Sequence, residues 1–201
     1  MKNSSFDIKH QSVQIESKIV VALEKISEAF RVLLWQESKG NNLSPIQIQI
    51  LIFLLFHSNE KCKISYLANE FNMTKATISD SVKLLLKKDL MKKDYDTIDA
   101  RSFTISLTKE GKKVAQKSSS FAGIIEKSIH QFSEKQKETV LVSLLELIEK
   151  LNKEGIISIQ RMCSTCRFYN KNKTIHYCNL LNKPLLNNEL RVDCPEHQMA
   201  S

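Results

Sequence analysis

Glycine occurs four times and proline three times in 201 residues, too few turn formers for the many tight connections of an all-β sandwich or barrel. A mainly helical chain is expected. The longest uninterrupted apolar run, Ile50 to Phe56, falls far short of the ~18 residues needed to cross a bilayer, so no membrane helix is expected. The first fifteen residues mix charged and polar side chains with isolated apolar ones. With no apolar core of a secretory signal among them, residence in the cytoplasm is expected. A Gly-rich phosphate loop, a Gly-x-Ser-x-Gly elbow and a His-Glu-x-x-His helix are all missing. His10, His57 and His130 are scattered, no catalytic constellation accompanies them, and the chain is not expected to be an enzyme.

What the chain does have is positive charge and helical periodicity. Thirty Lys+Arg against 22 Asp+Glu leave a formal net charge of +8, and 42% apolar residues suffice for a sizeable core in one or two small domains. From Val13 to Leu34, apolar residues recur at Ile15, Ile19, Ala22, Ile26, Phe30 and Leu33, the steps of a long amphipathic helix. The cluster Lys39-Gly40-Asn41-Asn42 is expected to end it. Ser44 and Pro45 then supply an N-cap and a proline in the first helical position. The segment from Pro45 to about His57 alternates like a strand at its start, but its cap and its length favour helix.

After a polar turn at residues 58–61, Lys63 and Ile64 read as a short extended piece and Ser65 as the cap of a short helix through Phe71. Asn72 and Met73 make a turn. Thr74 caps the next helix, with Ile78, Val82, Leu85 and Leu86 as a buried stripe beneath an exposed face of Lys75, Thr77, Ser79, Lys83 and Lys87. Two short helices a turn apart, the second basic on its outer face, form a helix-turn-helix. Leu90 to Tyr95 and Phe103 to Leu107 read as the strands of a hairpin around the polar stretch from Asp96 to Arg101. A helix opening at Lys109 is expected to reach the Ser133 region, carried by Val114, Phe121, Ile124, Ile125, Ile129 and Phe132. Ser133 and Glu134 start a last long helix ending near Gly155.

The segments Ile64-Ser65-Tyr66-Leu67-Ala68, Met73-Thr74-Lys75-Ala76-Thr77-Ile78-Ser79, Asp99-Ala100-Arg101-Ser102 and Leu107-Thr108-Lys109-Glu110-Gly111 resemble, in order and spacing, the winged helix-turn-helix core of the MarR family of bacterial transcription regulators. The motif-rich part covers roughly residues 61–111, and the flanking helices from about 13 to 155 match in length and pattern. The resemblance implies a mainly α fold with a small β-hairpin wing. An N-terminal dimerisation helix would lie in residues 1–43, a winged helix-turn-helix DNA-binding domain in 44–111, and C-terminal dimerisation helices in 112–156. It also implies a homodimer that sets two winged lobes on successive major-groove faces of a pseudo-palindromic operator, with a small-molecule effector between lobe and dimer helices. Independently, three helices rich in Ile, Leu and Val flank a core too small to cover their apolar faces, so a second subunit is a natural acceptor. The alternative is a monomeric helical bundle.

Residues 61–117 contain thirteen Lys+Arg and seven Asp+Glu, so this segment carries +6 of the whole chain's +8. A duplex phosphate backbone rewards such a cluster through counterion release, although alone it is equally well read as a solvated basic surface. Thr74, Lys75, Ala76 and Thr77 open the second helix of the pair, where side chains meet base edges or flanking phosphates, and Ser79 and Lys83 lie on the same side. Asp80 is expected to pair locally with Lys83. Arg101 resembles the family's wing arginine, which reaches into the minor groove, and Asp99 the carboxylate that braces it; an ordinary hairpin salt bridge is the alternative. Cys62 stands apart and reads as a small packed hydrophobe. The expected function is that of a sequence-specific double-stranded-DNA-binding transcriptional regulator, acting as a repressor.

The family pattern stops near Gly155, and residues 157–201 form a small Cys-rich module. Cys163 and Cys166 are two residues apart, Cys178 follows after eleven and Cys194 after fifteen more. Four thiols in a segment too short for its own apolar core point to a metal site, since the cytosol does not favour disulfides. A zinc ion (Zn2+) held by all four, with His176 or His197 as a substitute ligand, is the first expectation. An iron-sulfur cluster is the alternative, shielded by Phe168, Tyr169, Leu180, Leu181, Leu185 and Leu186. The module would either staple the structure or act as a sensor that changes the spacing of the recognition helices. An iron-sulfur redox protein on a borrowed winged-helix scaffold is the reading from a different class.

Overall fold

The computed structural model describes residues 4–95, 103–158, 161–173 and 175–200. A six-residue helix, α1 (Ile8–Val13), leads into α2 (Ile15–Asn41). Helix α2 ends within the Lys39-to-Asn42 cluster and closes on Asn42, whose left-handed backbone (φ 52°) donates its N–H to the Lys39 carbonyl. Asparagine tolerates that conformation where most residues do not. Helix α3 (Pro45–Phe56) carries the expected cap: the Ser44 hydroxyl accepts from the Gln47 amide, and the Gln47 side chain accepts from the Ser44 amide. Ile48, Ile50 and Leu51 are fully buried, with Phe53 and Leu54 nearly so. A helix apolar on nearly every side belongs in the middle of a core, and α3 packs against α2, α6 and the wing.

Helix α4 (Ile64–Glu70) starts two residues earlier than the Ser65 cap implies, with extended Lys63 as its N-cap. Its turn to α5 (Lys75–Lys87) passes through left-handed Asn72. Strands β1 (Met91–Tyr95) and β2 (Phe103–Leu107) pair antiparallel, from Met91 opposite Leu107 to Tyr95 opposite Phe103. Buried Met91, Ile105 and Leu107 face the core. The wing is anchored at its base by Ile105, whose amide donates to the Cys62 carbonyl.

The long helix expected from Lys109 is two: α6 (Lys109–Ser118) and α7 (Gly123–His130). The serines between them explain the break. Ser119 and Ser120 donate their hydroxyls back to the Gln116 and Lys117 carbonyls, and buried Ser118 turns inward to donate to Glu37 of α2. Such local bonds compete with the helical ladder. Helix α8 (Glu134–Lys153) has a full capping box at Ser133 and Gln136 and closes beside Gly155, at φ 70°. The Cys-rich segment forms a three-stranded antiparallel sheet of β3 (Tyr169–Asn172), β4 (Ile175–Cys178) and β5 (Lys183–Leu185). It leans on α8, where Asn187 donates to Glu138.

Candidate nucleic-acid interface and thiol cavity

The N-terminus of α5 is an open, preformed edge. Thr74 accepts from the Thr77 amide at 3.1 Å, and the two threonine hydroxyls lie 2.8 Å apart. The remaining first-turn N–H groups point outward at the positive end of the helix dipole, a geometry that suits phosphate. Thr74, Lys75, Ala76 and Thr77 are all exposed, and Lys83 is exposed on the following turns. Ser79 is half-buried, which places it at the border of this surface. Beneath it, Ile78 and Leu85 are fully buried and Val82 nearly so. The stripe fixes which way the helix turns its polar face. Asp80 and Lys83 form the local pair at 2.9 Å, worth about 0.3–0.5 kcal/mol at this exposure.

On the wing, Lys92 and Lys93 are exposed. The Lys93 ammonium sits 4.4 Å above the centre of the Phe103 ring. Asp94 accepts from the Ser106 hydroxyl and then from Lys92, and these contacts hold its carboxyl below the ordinary carboxylate range. Asp99 and Arg101, the two wing residues singled out in sequence, lie outside the described residues.

Gly111 explains one motif residue physically. A Cβ at this position would lie 1.8 Å from the Leu90 carbonyl oxygen. Thr108 caps α6 by accepting from the Gly111 amide and donates its hydroxyl to the Asp89 carbonyl, drawing the helix onto the base of the wing. Only glycine permits that approach. Cys62 is 2% exposed and its thiol is pushed up by burial, in line with a packed hydrophobe.

The four tail cysteines line one cavity of about 40 Å3, together with Tyr169, Leu180, Leu181 and Leu185. Cys163 and Cys166 bracket a 3-10 turn closed by the Cys166 amide on the Cys163 carbonyl, and Cys178 ends β4. The Arg191 amide donates to the Cys163 sulfur at 3.3 Å. The Cys163 thiol is raised mainly by burial and further by its three neighbours Cys194, Cys166 and Cys178. Among the described residues, no three His, Cys, Asp or Glu side chains are drawn together as tightly as a bound ion requires. His176 is buried against the Tyr169 hydroxyl and His197 lies 3.0 Å from the Thr165 hydroxyl. Neither lines the thiol cavity.

Sequence reasoning missed Arg161. Its side chain is 8% exposed and spends its donors on two carboxylates. Toward Glu70 of α4 it donates at 2.6 and 3.0 Å, toward Asp193 at 2.6 and 2.9 Å, and toward the Tyr66 hydroxyl at 3.0 Å. His57 stacks on Phe53 at 3.8 Å, with Nε2 2.9 Å from Asp193. Arg161 chiefly, with His57 behind it, holds the Asp193 carboxyl well below the usual range. No spacing rule announces this cluster, because its members come from α3, α4 and both ends of the Cys-rich segment. The one signal was adjacency: Arg161 stands two residues before Cys163 and Asp193 one before Cys194.

Comparison with known proteins agrees with the fold. Residues 43–111 match the profile of a winged helix DNA-binding domain. The HTH-type transcriptional repressor YetL of Bacillus subtilis is 26% identical over 136 residues, which is 67% of this chain and 81% of that protein. The crystal structure of a Staphylococcus aureus MepR-DNA complex superposes with a TM-score of 0.58 at 22% identity, covering 66% of this chain and 97% of that one. MepR solved as a transcription regulator of the multidrug efflux pump MepA gives 0.51 at the same identity, over 65% and 96%. Residues 43–111 therefore resemble a winged helix DNA-binding domain, set in the fold that the chain shares with MepR.

Proposed function

We propose that this protein is a homodimeric transcriptional repressor that reads a pseudo-palindromic operator in double-stranded DNA. The observation that carries the reading is the exposed N-terminal turn of α5, Thr74 to Thr77, lying within residues 61–117, which carry +6 of the chain's net +8. Thr74, Lys75, Ala76 and Thr77 meet base edges and flanking phosphates in the major groove, Ser79 and Lys83 border the contact, and Arg101 braced by Asp99 enters the adjacent minor groove. The repressor YetL and the DNA-bound MepR support this assignment. Selection of bound duplexes from a random pool, followed by titration at several salt concentrations, tests it. A two-fold symmetric consensus supports the reading; affinity indifferent to sequence refutes it.

A second copy of the chain is the occupant of the uncovered helix faces. Ile8, Val13, Ile15, Ile19 and Ile26 of α1 and α2 are half or more exposed, and Ile124, Ile129, Val140 and Leu144 of α7 and α8 are also open. Of α2's 27 residues only Ser17, Leu34 and Ser38 are buried. Helices this long and this apolar need a partner, and a two-fold operator needs a two-fold protein. A small-molecule effector fits the open groove of about 740 Å3 where α2 meets α3, lined by Val32, Leu34, Trp35 and Pro45.

The tail module is a metal site of Cys163, Cys166, Cys178 and Cys194. Four thiols line one small cavity, with a backbone N–H donating to Cys163; their side chains must draw closer together to close on an ion, and once they do they are the donor set of a four-sulfur zinc centre. Zinc would supply the cross-link that a 45-residue module lacks in apolar core. The leucines on the cavity wall favour one alternative, an iron-sulfur cluster shielded from solvent. Elemental analysis and a visible spectrum of anaerobically purified protein separate the two: iron with broad visible absorbance replaces zinc by a cluster.

A further inference from the structure

We infer that Arg161 is the positioning residue through which the four-cysteine module holds the first helix of the helix-turn-helix, so that metal loading of the thiol cavity governs how firmly the reading head is presented. This rests on the reading of the four cysteines as a metal site. The geometry makes the link short. Arg161 and Asp193 sit side by side on a parallel β-bridge, and the Cys194 amide donates to the Arg161 carbonyl at 2.9 Å. Two residues beyond Arg161, the Cys163 amide donates to the Arg191 carbonyl. The backbone that carries Cys163 and Cys194 is thus the same two-stranded patch that carries Arg161 and Asp193. A metal bound by those two sulfurs fixes the patch; without it, two short segments anchored by the buried Met162 side chain hold it alone.

From this patch the Arg161 side chain reaches into the winged helix region. Its guanidinium forks onto Glu70, donates to Tyr66 and lies 5.6 Å from the centre of the Phe53 ring. Glu70 is the last residue of α4, just before the turn that sets α5. The neighbouring linker grips that turn as well: Ser158 donates to the Asn69 carbonyl at 2.6 Å, and Asn72 donates to the Ile156 carbonyl at 2.8 Å. A planar, two-pronged guanidinium transmits orientation as well as attraction, since both carboxylates must stay in its plane. If the Asp193 side swings away, the buried Arg161 loses half its compensation and the Glu70 contact loosens with it.

The test is hydrogen exchange of residues 64–74 in the full-length zinc-loaded protein, before and after chelation, beside the variants Arg161→Met and Glu70→Gln. Chelation of the wild type is expected to speed exchange in this segment at least tenfold. Both variants are expected to keep zinc near one ion per chain, to exchange fast already when loaded, and to respond little to chelation. Glu70→Gln keeps the test decisive should Arg161→Met fail to fold. Unchanged exchange in the wild type after the zinc has left overturns the coupling while leaving the metal site standing. Variants that still respond to chelation as the wild type does overturn the role of Arg161. Failure of the wild type to take up zinc or iron refutes the metal site itself, and the coupling with it.

Discussion

At Gly111 a single hydrogen atom decides whether α6 can lie against the wing. Because the obstacle to a Cβ is the Leu90 carbonyl, a backbone atom 1.8 Å away, no side chain can yield, and the helix or strand must shift. Gly111→Ala is expected to cost about 2–4 kcal/mol of stability, within the range of overpacked cores, read as a lowered denaturant midpoint with an unchanged slope. Thr74 works on a smaller scale. Thr74→Ala removes the hydroxyl that satisfies the Thr77 amide and is expected to cost about 1 kcal/mol, again by denaturant titration. The residue scale also shows what a sequence conceals. Glycine at 111 was legible as part of a motif, but its reason lies at Leu90, a contact made across the wing. Arg161 was illegible altogether, since its partners His57, Tyr66, Glu70 and Asp193 are spread over more than 130 positions of chain.

Among the elements, those with a strong local signal were readable. The helix starts at Ser44, Thr74 and Ser133 and the buried stripe of α5 appear where their patterns placed them. Helix α3 shows why a cap decides an ambiguous segment: its apolar residues are too evenly spread for periodicity to distinguish helix from strand, and Ser44 with Pro45 settles it. The α6–α7 break was missed because an apolar stripe continues through it, whereas the cause is serine hydroxyls bonding back to Gln116 and Lys117. For α5 and the wing the expected consequence is electrostatic. Lys75→Ala and Arg101→Ala are each expected to weaken operator binding and to lower the slope of log affinity against log salt by about 1. Fluorescence anisotropy at four salt concentrations checks this, and a slope unchanged by either substitution removes that residue from the contact.

For the whole molecule the unpaired faces of α1, α2, α7 and α8 and the Cys-rich module set the account. Replacing Ile19 and Leu144, both open in the single chain, with glutamate is expected to halve the mass seen by light scattering, from twice 23.1 kDa to that value. The cost is that of leaving charge in an apolar interface. Substituting Cys163 and Cys194 together with serine is expected to abolish metal uptake and to lower the melting temperature of the tail, followed by calorimetry. The measurement that bears most directly on the central claim is the binding isotherm of the intact protein on its selected operator at low ionic strength, with protein mass and stoichiometry recorded together. The account predicts two chains per symmetric duplex, nanomolar affinity, and a loss of at least tenfold when Lys75 and Thr77 are both replaced by alanine. A protein that remains a single chain and binds no duplex more tightly than random DNA would contradict it.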